Sequence, residues 1–178
     1  MPVLTGAVVI VGALCLIDLL LTFGVIRRLR EHTEMLALTR TAGDLVIGLA
    51  AGKVPDGFTA TDNEGEAVRG PSGLGVVAFF STACPACPAK VPVFIDYVRK
   101  HPAGRDGVLA VVVGQAPESA PYLADLMSVA RVCTESSGGA IGRAFAVQAF
   151  PAFFLLDAGG TVRGSGYDPV ALPARAAA

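Results

Sequence analysis

The sequence carries little charge and no concentrated positive charge. Charged residues make up 16% of its 178 residues, hydrophobic residues make up 53%, and the formal net charge is -1. A nucleic-acid interface is expected to show a basic patch or stripe, and the lack of one argues against that class of function. The low charged fraction also indicates that part of the chain does not face water.

Histidine and cysteine are scarce as well. The chain has two histidines and four cysteines, and four cysteines are not a disulfide framework in a chain of this size. Neither His32 nor His101 has metal-ligand spacing with a cysteine pair, so we predict no metal site. No internal repeat is present, which argues against a repeat architecture.

One long apolar segment accounts for the excess of hydrophobic residues. Residues 3–26 are interrupted only by small or hydroxylic residues and by Asp18, and the segment exceeds the roughly 20 residues needed to span a bilayer. No basic segment precedes it and no small-x-small site follows it, so a retained anchor is favoured over a cleaved signal peptide. We predict a transmembrane anchor at 1–27, a juxtamembrane helix and tether at 28–49, and a globular domain at 50–178.

The residues around this segment give conflicting indications of its role. The basic cluster from Arg27 to Arg30 would place the C-terminal side in the cytoplasm by the positive-inside rule. Intramembrane acids usually face a partner or water, so Asp18 suggests a neighbouring membrane protein such as an electron donor. A protonated aspartic acid is also tolerated in a single helix, and both interpretations of Asp18 stay open.

The globular part alternates between apolar runs and helical patterns. Residues 76–80 and 108–113 are runs typical of central strands, and between them Val91, Phe94, Ile95 and Val98 recur at helical spacing. This order predicts a β-α-β unit with a right-handed crossover. The other predicted elements are a strand and turn at 58–65, a helix at 118–130, a strand at 131–134, a short helix containing Ile141 and Phe145, and a strand and edge hairpin at 152–163.

Cys84-Pro85-Ala86-Cys87 lies between the first of these runs and the helix that follows. Two cysteines at this spacing can close a small disulfide ring and reopen it. The N-terminus of a helix favours an anion, so we predict Cys84 as the attacking thiolate and Cys87, one turn inside, as the resolving thiol. Pro85 suits the first helical position, where a missing N–H costs nothing.

The same cysteine spacing occurs at metal sites. The alternative function is therefore a membrane-tethered module that binds copper or zinc through Cys84 and Cys87 and delivers it. Cys133 is predicted to be a buried strand cysteine rather than a third redox thiol, since no charged neighbour is expected to activate it.

Three features together resemble the thioredoxin superfamily: the Cys-x-x-Cys at a strand-to-helix junction, Pro92 five residues after the second cysteine, and Phe150-Pro151 before an apolar strand and a Gly-Gly turn. The membrane-anchored TlpA/MauD-like branch is the most similar, over about residues 48–170. The resemblance implies a thioredoxin-like α/β fold with a central mixed sheet flanked by helices. It also implies a thiol-disulfide oxidoreductase.

The resemblance carries further expectations about partners and location. It implies protein disulfides or dithiols as substrates, a membrane or extracytoplasmic electron donor, contact with membrane lipid, and no dissociable cofactor beyond the redox-active Cys84–Cys87 disulfide. The globular domain of a single-pass membrane protein of this branch lies outside the cytoplasm, in conflict with the arginine cluster.

Specific residues receive roles from the same resemblance. Cys84 would be the nucleophile and Cys87 would resolve the mixed disulfide. Pro151 would follow a cis bond, and the backbone of Phe150 and Pro151 would pair with an extended substrate peptide.

The sequence departs from the family pattern at two positions near the cysteines. Ala78 stands where many thioredoxins carry a buried acid, so no carboxylate is available there to take a proton from Cys87. Lys90 stands where some anchored relatives carry a glutamate. A cation near the pair favours thiolate and makes the disulfide more oxidising, so Lys90 would modulate the pair; the other interpretation is that its side chain points to water.

Overall fold

The structure, a computed structural model, describes residues 47–115 and 118–172 together with Gly12. Almost all of the predicted anchor at 1–27 and most of the predicted tether at 28–49 lie outside the described residues, so both stay predictions. In the described part of the chain, no helix combines the length and apolar character needed to cross a bilayer.

The described residues form a five-stranded mixed sheet with helices and a separate two-stranded hairpin. The sheet has the strand order β5-β4-β3-β6-β7. In chain order the elements are β1 Phe58–Thr61, β2 Ala67–Gly70, β3 Val76–Ser81, α1 Cys87–Arg99, β4 Val108–Val113, α2 Ala120–Leu126, β5 Arg131–Glu135, α3 Ala140–Ala144, β6 Ala152–Leu156, β7 Val162–Gly166, and a 3-10 turn Pro169–Ala171.

Strands β3 and β4 lie in the interior of the sheet, with a strand on either side of each. For this reason every one of their residues is buried. They run parallel, with Val76 opposite Val108, and α1 connects them, which confirms the predicted β-α-β unit. On its other side β3 pairs antiparallel with β6. The sheet is therefore mixed, as predicted.

The alternation of side chains along β3 builds a core on each face of the sheet. Phe79 contacts Phe145 with ring centroids 5.6 Å apart, in the cluster that also contains residues of the β1–β2 hairpin and α3. Phe80 contacts Phe94 of α1 at the same 5.6 Å, in the cluster that contains α1 and α2 residues. Both faces are thus covered.

Two predicted elements differ from the structure. The helix predicted at 118–130 ends at Leu126, because the N–H groups of Val129 and Ala130 both donate to the Leu126 carbonyl and tighten the chain before β5. The strand predicted at 58–61 gains an antiparallel partner, β2, that was not predicted. Strand β2 buries Val68 alone of its four residues, so it left little apolar pattern to detect.

Asp62 ties the turn of the β1–β2 hairpin to the edge strand β5. Its carboxylate accepts the N–H groups of Glu64 and Glu66 at 3.1 and 2.8 Å, and the Arg131 guanidinium at 3.0 and 2.9 Å. Burial disfavours the charged form, but these donors outweigh it and hold the pKa of Asp62 below its ordinary value. The hairpin is therefore held to the sheet by a carboxylate that must be ionised.

We predict that Asp62→Asn lowers the free energy of unfolding by about 1–3 kcal/mol at neutral pH, since it leaves Arg131 without its charged acceptor. Because the folded-state pKa is depressed, this contribution is present above the ordinary carboxyl pKa and is lost as the pH falls through the folded-state value. Urea unfolding at pH 7 and at about pH 3 measures both effects.

Glu64→Gln is the matched control. Glu64 pairs with Arg105 at the same hairpin, but both side chains are more than one third exposed, at 43% and 37%, so its loss is expected to stay within about 0.5 kcal/mol. An Asp62→Asn effect no larger than that of Glu64→Gln, or one that persists unchanged at acidic pH, would contradict the role given to Asp62.

Candidate functional site

Helix α1 begins at Cys87 and not at Cys84 or Pro85 as predicted. The Cys84 N–H donates to the Ser81 carbonyl at 3.1 Å, and the Cys87 N–H donates to the Cys84 carbonyl at 3.2 Å, so residues 84–86 form a turn before the helix. The proline in the first turn is Pro88, the second residue of the helix, and Pro85 lies before the helix and not at its first position as predicted. Cys84 therefore precedes the helix, and Cys87 is its first residue.

Cys87 is completely buried and lies in the core cluster between α1 and the sheet. Its sulfur accepts the backbone N–H of Ser81 at 3.4 Å. Burial, followed by the neighbouring Cys84 sulfur, raises the pKa of the Cys87 thiol to about 12, although the Ser81 N–H acts in the opposite direction. At neutral pH this sulfur is a thiol with no access to solvent.

Cys84 is half-buried, in contrast to Cys87, and both cysteines are in the free thiol form. The Cys84 sulfur donates a hydrogen bond to the Phe150 carbonyl at 3.4 Å, although the two residues are far apart in sequence. The Phe150–Pro151 bond is cis, as predicted. The fold thus brings the predicted cysteines and the predicted Phe150-Pro151 segment together.

Three further contacts lie near the cysteine pair. One involves Lys90, a predicted site residue, and the other two were not predicted. Lys90 donates to Asp168 at 2.6 Å, a contact not predicted. Thr82 donates to Glu118 at 3.3 Å. Tyr122 packs on Phe80, two residues before Thr82, with ring centroids 6.2 Å apart. These contacts join elements distant in sequence, so no local motif could have indicated them.

The fold around these residues is similar to that of solved thiol-disulfide oxidoreductases. The thioredoxin domain of a thiol-disulfide oxidoreductase from Bacteroides vulgatus is 18% identical with a TM-score of 0.53, and the alignment covers 66% of this chain and 88% of that one. A thiol:disulfide interchange protein of the thioredoxin family from Chlorobium tepidum is 22% identical with a TM-score of 0.52, covering 68% and 88%.

A secreted disulfide oxidoreductase from Mycobacterium tuberculosis is 22% identical with a TM-score of 0.52, and the alignment covers 66% of this chain and 87% of that one. This chain has the thioredoxin fold. Neither protein-family models nor curated protein sequences give a match. The resemblance predicted from the cysteine motif and Pro151 is therefore confirmed for the fold, whereas the membrane-anchored branch stays a prediction.

The position of the pair within the thioredoxin fold follows from the sheet. Strand β3 ends at Ser81, and its ladder with β6 ends where Phe79 faces Ala152. The turn that carries Cys84 directly follows β3, and Phe150-Pro151 directly precedes β6. Ala78, where many thioredoxins carry an acid, is fully buried in the same core cluster as Cys87.

The metal-binding alternative gains no support from the described residues, where no group of three or more His, Cys, Asp or Glu side chains is arranged to hold a metal ion. Cys133 lies in β5, 2% exposed, as predicted. Burial, followed by the charge of Asp62, raises the pKa of the Cys133 thiol to about 11. Cys133 is therefore an inert core thiol.

We predict that iodoacetamide modifies Cys84 in the reduced, folded protein and spares Cys87 and Cys133. The last two thiols are buried, with pKa values raised to about 12 and about 11, and alkylation requires an accessible thiolate. Peptide mass spectrometry after timed labelling at neutral pH measures each site. Labelling in urea, where all three should react, is the control, and equal labelling of Cys84 and Cys87 in the folded protein would contradict the described burial.

Proposed function

We propose that this protein is a thiol-disulfide oxidoreductase that transfers two electrons between its Cys84–Cys87 pair and disulfides of other proteins. The observation that carries the proposal is the contrast between a half-buried Cys84 beside the Phe150 carbonyl and a fully buried Cys87 one turn away. The names of the structurally similar proteins, which describe oxidoreductase and disulfide-interchange activities, support it.

The exchange proceeds in two balanced steps. The Cys84 thiolate attacks a substrate disulfide, a Cys84–substrate disulfide forms, and the substrate S–S bond breaks to release a thiolate that takes up a proton. Cys87 then loses its proton and attacks the Cys84 sulfur. The Cys84–Cys87 disulfide forms, the Cys84–substrate S–S bond breaks, and the second substrate sulfur leaves as a thiolate that takes up a proton. Two electrons pass from the dithiol to the substrate, and a dithiol donor restores the pair.

Phe150 and Pro151 are proposed to bind the substrate backbone. Because the ladder between β3 and β6 begins at Ala152, the two residues before it lie outside the sheet hydrogen bonding. The Phe150 carbonyl accepts the Cys84 thiol in the reduced protein. When Cys84 gives up its proton that donor is lost, and the carbonyl can accept an N–H of an extended peptide instead.

The location is part of the proposal. We infer a single-pass membrane protein, in contact with lipid through residues 3–26, whose catalytic domain lies outside the cytoplasm and receives electrons from a membrane or extracytoplasmic donor. The apolar segment and the description of the similar M. tuberculosis protein as secreted support this location, and the arginine cluster after the segment opposes it.

We predict that Cys87→Ser traps a mixed disulfide on Cys84. Without the resolving sulfur the second step cannot occur, so the adduct accumulates instead of turning over. Reduced Cys87→Ser incubated with insulin is expected to give a dithiothreitol-sensitive adduct on a non-reducing gel, mapped to Cys84 by mass spectrometry. In cells, the compartment of the captured proteins reports which side of the membrane the domain occupies.

Two matched variants make this test decisive. Cys133→Ser changes a buried thiol in β5 and should reduce insulin at the wild-type rate, whereas Cys84→Ser should form no adduct. The proposed mechanism would be wrong if Cys84→Ser formed as much adduct as Cys87→Ser, or if insulin were still reduced after the loss of Cys84.

Lys90 is proposed to modulate the pair, with Asp168 as its counter-charge. Residues three apart on a helix lie on the same face, with Cβ atoms about 5–6 Å apart. Lys90 therefore lies on the same face of α1 as Cys87. Its side chain is bound to Asp168 at 2.6 Å, and the two side chains are 32% and 41% exposed. The Lys90 hydrogen bond holds the pKa of Asp168 below its ordinary value, so the carboxylate is charged at neutral pH and offsets the lysine.

We predict that Asp168→Asn shifts the equilibrium with glutathione about twofold to fivefold toward the dithiol, because an unpaired Lys90 cation stabilises the thiolate of the reduced form. Lys90→Gln should shift it toward the disulfide, because it leaves the Asp168 carboxylate unpaired, and the double variant, which removes both charges, should lie between the two single variants. Gel-shift assays of thiols in glutathione buffers measure the ratio. A shift of Asp168→Asn toward the disulfide, or equal values for all variants, would refute the role of Lys90.

A further inference from the structure

Several partly exposed side chains pack on the core cluster that contains the buried Cys87. Cys84, Phe150 and Tyr122 all pack against the core cluster that contains the Cys87 sulfur, and each retains exposed surface. Two of the three come from the motif and from the segment before β6. Tyr122 comes from α2, which contributes no residue to the proposed exchange.

A chain of contacts places the Tyr122 ring beside the cysteines. The ring packs on Phe80 with centroids 6.2 Å apart, and Phe80 is followed by Ser81, whose N–H binds the Cys87 sulfur at 3.4 Å. The electrostatics agree with this placement. Burial raises the pKa of Tyr122, and the charges of Cys87 and Cys84 raise it further.

The segment that leads into α2 is held against the turn that carries Cys84. Thr82, two residues before Cys84, donates to the Glu118 carboxylate at 3.3 Å. A Cβ atom on Gly114 would lie 2.4 Å from the Thr82 hydroxyl oxygen, so only glycine permits the close approach of Thr82 to the end of β4. These contacts hold the end of β4 and Glu118, four residues before Tyr122, close to the turn that carries Cys84.

The residue directly before the motif leaves room for such a ring. Ala83 is exposed and offers only a methyl group, so the local sequence supplies no large apolar surface next to Cys84. The Phe150 and Tyr122 rings are partly exposed and pack on the cluster on which Cys84 also packs. Tyr97, a third partly exposed aromatic residue on this cluster, lies ten residues along α1 from Cys87.

We propose that Tyr122 is a specificity-determining residue, and that its ring contacts an apolar side chain flanking the disulfide cysteine of the incoming polypeptide. The inference rests on the proposed function and adds to it a substrate class: extended polypeptide segments with an apolar residue beside the cysteine. A partly exposed aromatic ring supplies a large contact area at low cost in side-chain entropy. Burying an apolar group against it stabilises the encounter in which Cys84 attacks.

Single-turnover kinetics with three probes tests the inference. The probes are two short peptides, each joined through one cysteine to glutathione and carrying either leucine or serine on both sides of that cysteine, and hydroxyethyl disulfide, which has no flanking residues. We expect Tyr122→Ala to lower the second-order rate constant for the leucine peptide about fivefold to tenfold. The serine peptide and hydroxyethyl disulfide should react at wild-type rates.

Two variants serve as controls. Tyr122→Phe keeps the ring and should retain the preference for the leucine peptide. Tyr97→Ala removes another partly buried tyrosine that packs on the same cluster, but ten residues along α1 from Cys87, roughly 15 Å away, and should leave all three rates unchanged. Circular dichroism melting checks that each variant is folded.

The outcomes separate this inference from the proposed function. Equal losses with all three probes would mean that Tyr122 acts on the cysteine pair and does not select substrates, and unchanged rates would mean that its ring does not contact the peptide. Either result overturns the inference while leaving thiol-disulfide exchange intact. A wild-type protein that reacts with none of the probes would instead refute the proposed function.

Discussion

Cys87 is inaccessible to solvent because it is the first residue of α1 and the helix packs directly on the central strand β3. This burial gives the two cysteines different chemistry. The Cys87 sulfur is a protonated core group whose pKa is raised to about 12. The Cys84 sulfur is half-buried and donates a hydrogen bond to the Phe150 carbonyl, which lies just before β6. The roles proposed for Cys84 as attacking sulfur and Cys87 as resolving sulfur depend on this difference in burial.

The sheet is what makes the separation possible. Strand β3 is buried on both faces, so consecutive residues Phe79 and Phe80 enter different clusters, one under the β1–β2 hairpin and α3 and one under α1 and α2. Phe150 is partly buried against both clusters. It lies where the two cores meet at the end of the sheet, and so does the turn with Cys84. The site is therefore located by packing on both faces at once.

The elements around the site are supported by polar contacts at some distance from it. The side chain of Glu135, the last residue of β5, accepts the N–H groups of Ile141 and Gly142 at 3.1 and 2.8 Å, which satisfies the open first turn of α3. This helix leads into the Phe150-Pro151 segment. On the opposite side of the site, the Thr82–Glu118 contact and the narrow space at Gly114 hold the approach to α2. These contacts restrain the start of α3 and the segment that leads into α2.

The sequence alone determined the elements whose signals are local. The apolar runs at 76–80 and 108–113 and the stripe of Val91, Phe94 and Val98 predicted the β-α-β unit, because burial on one or two faces leaves a period that can be read directly. The cysteine spacing predicted that Cys84 and Cys87 form a pair at the end of a strand, and Cys133 was predicted to be buried in a short strand.

What depended on distant contacts was decided only by the tertiary structure. The exact first residue of α1 depends on the turn bonded back to Ser81, and the partner of Lys90 is Asp168, which arrives after the last strand. Strand β2 has a single buried residue, and Tyr122 packs on Phe80 of β3 from a helix two elements beyond α1. These contacts have no periodic pattern in the sequence, because they join side chains that are distant along the chain and meet only when the sheet has assembled.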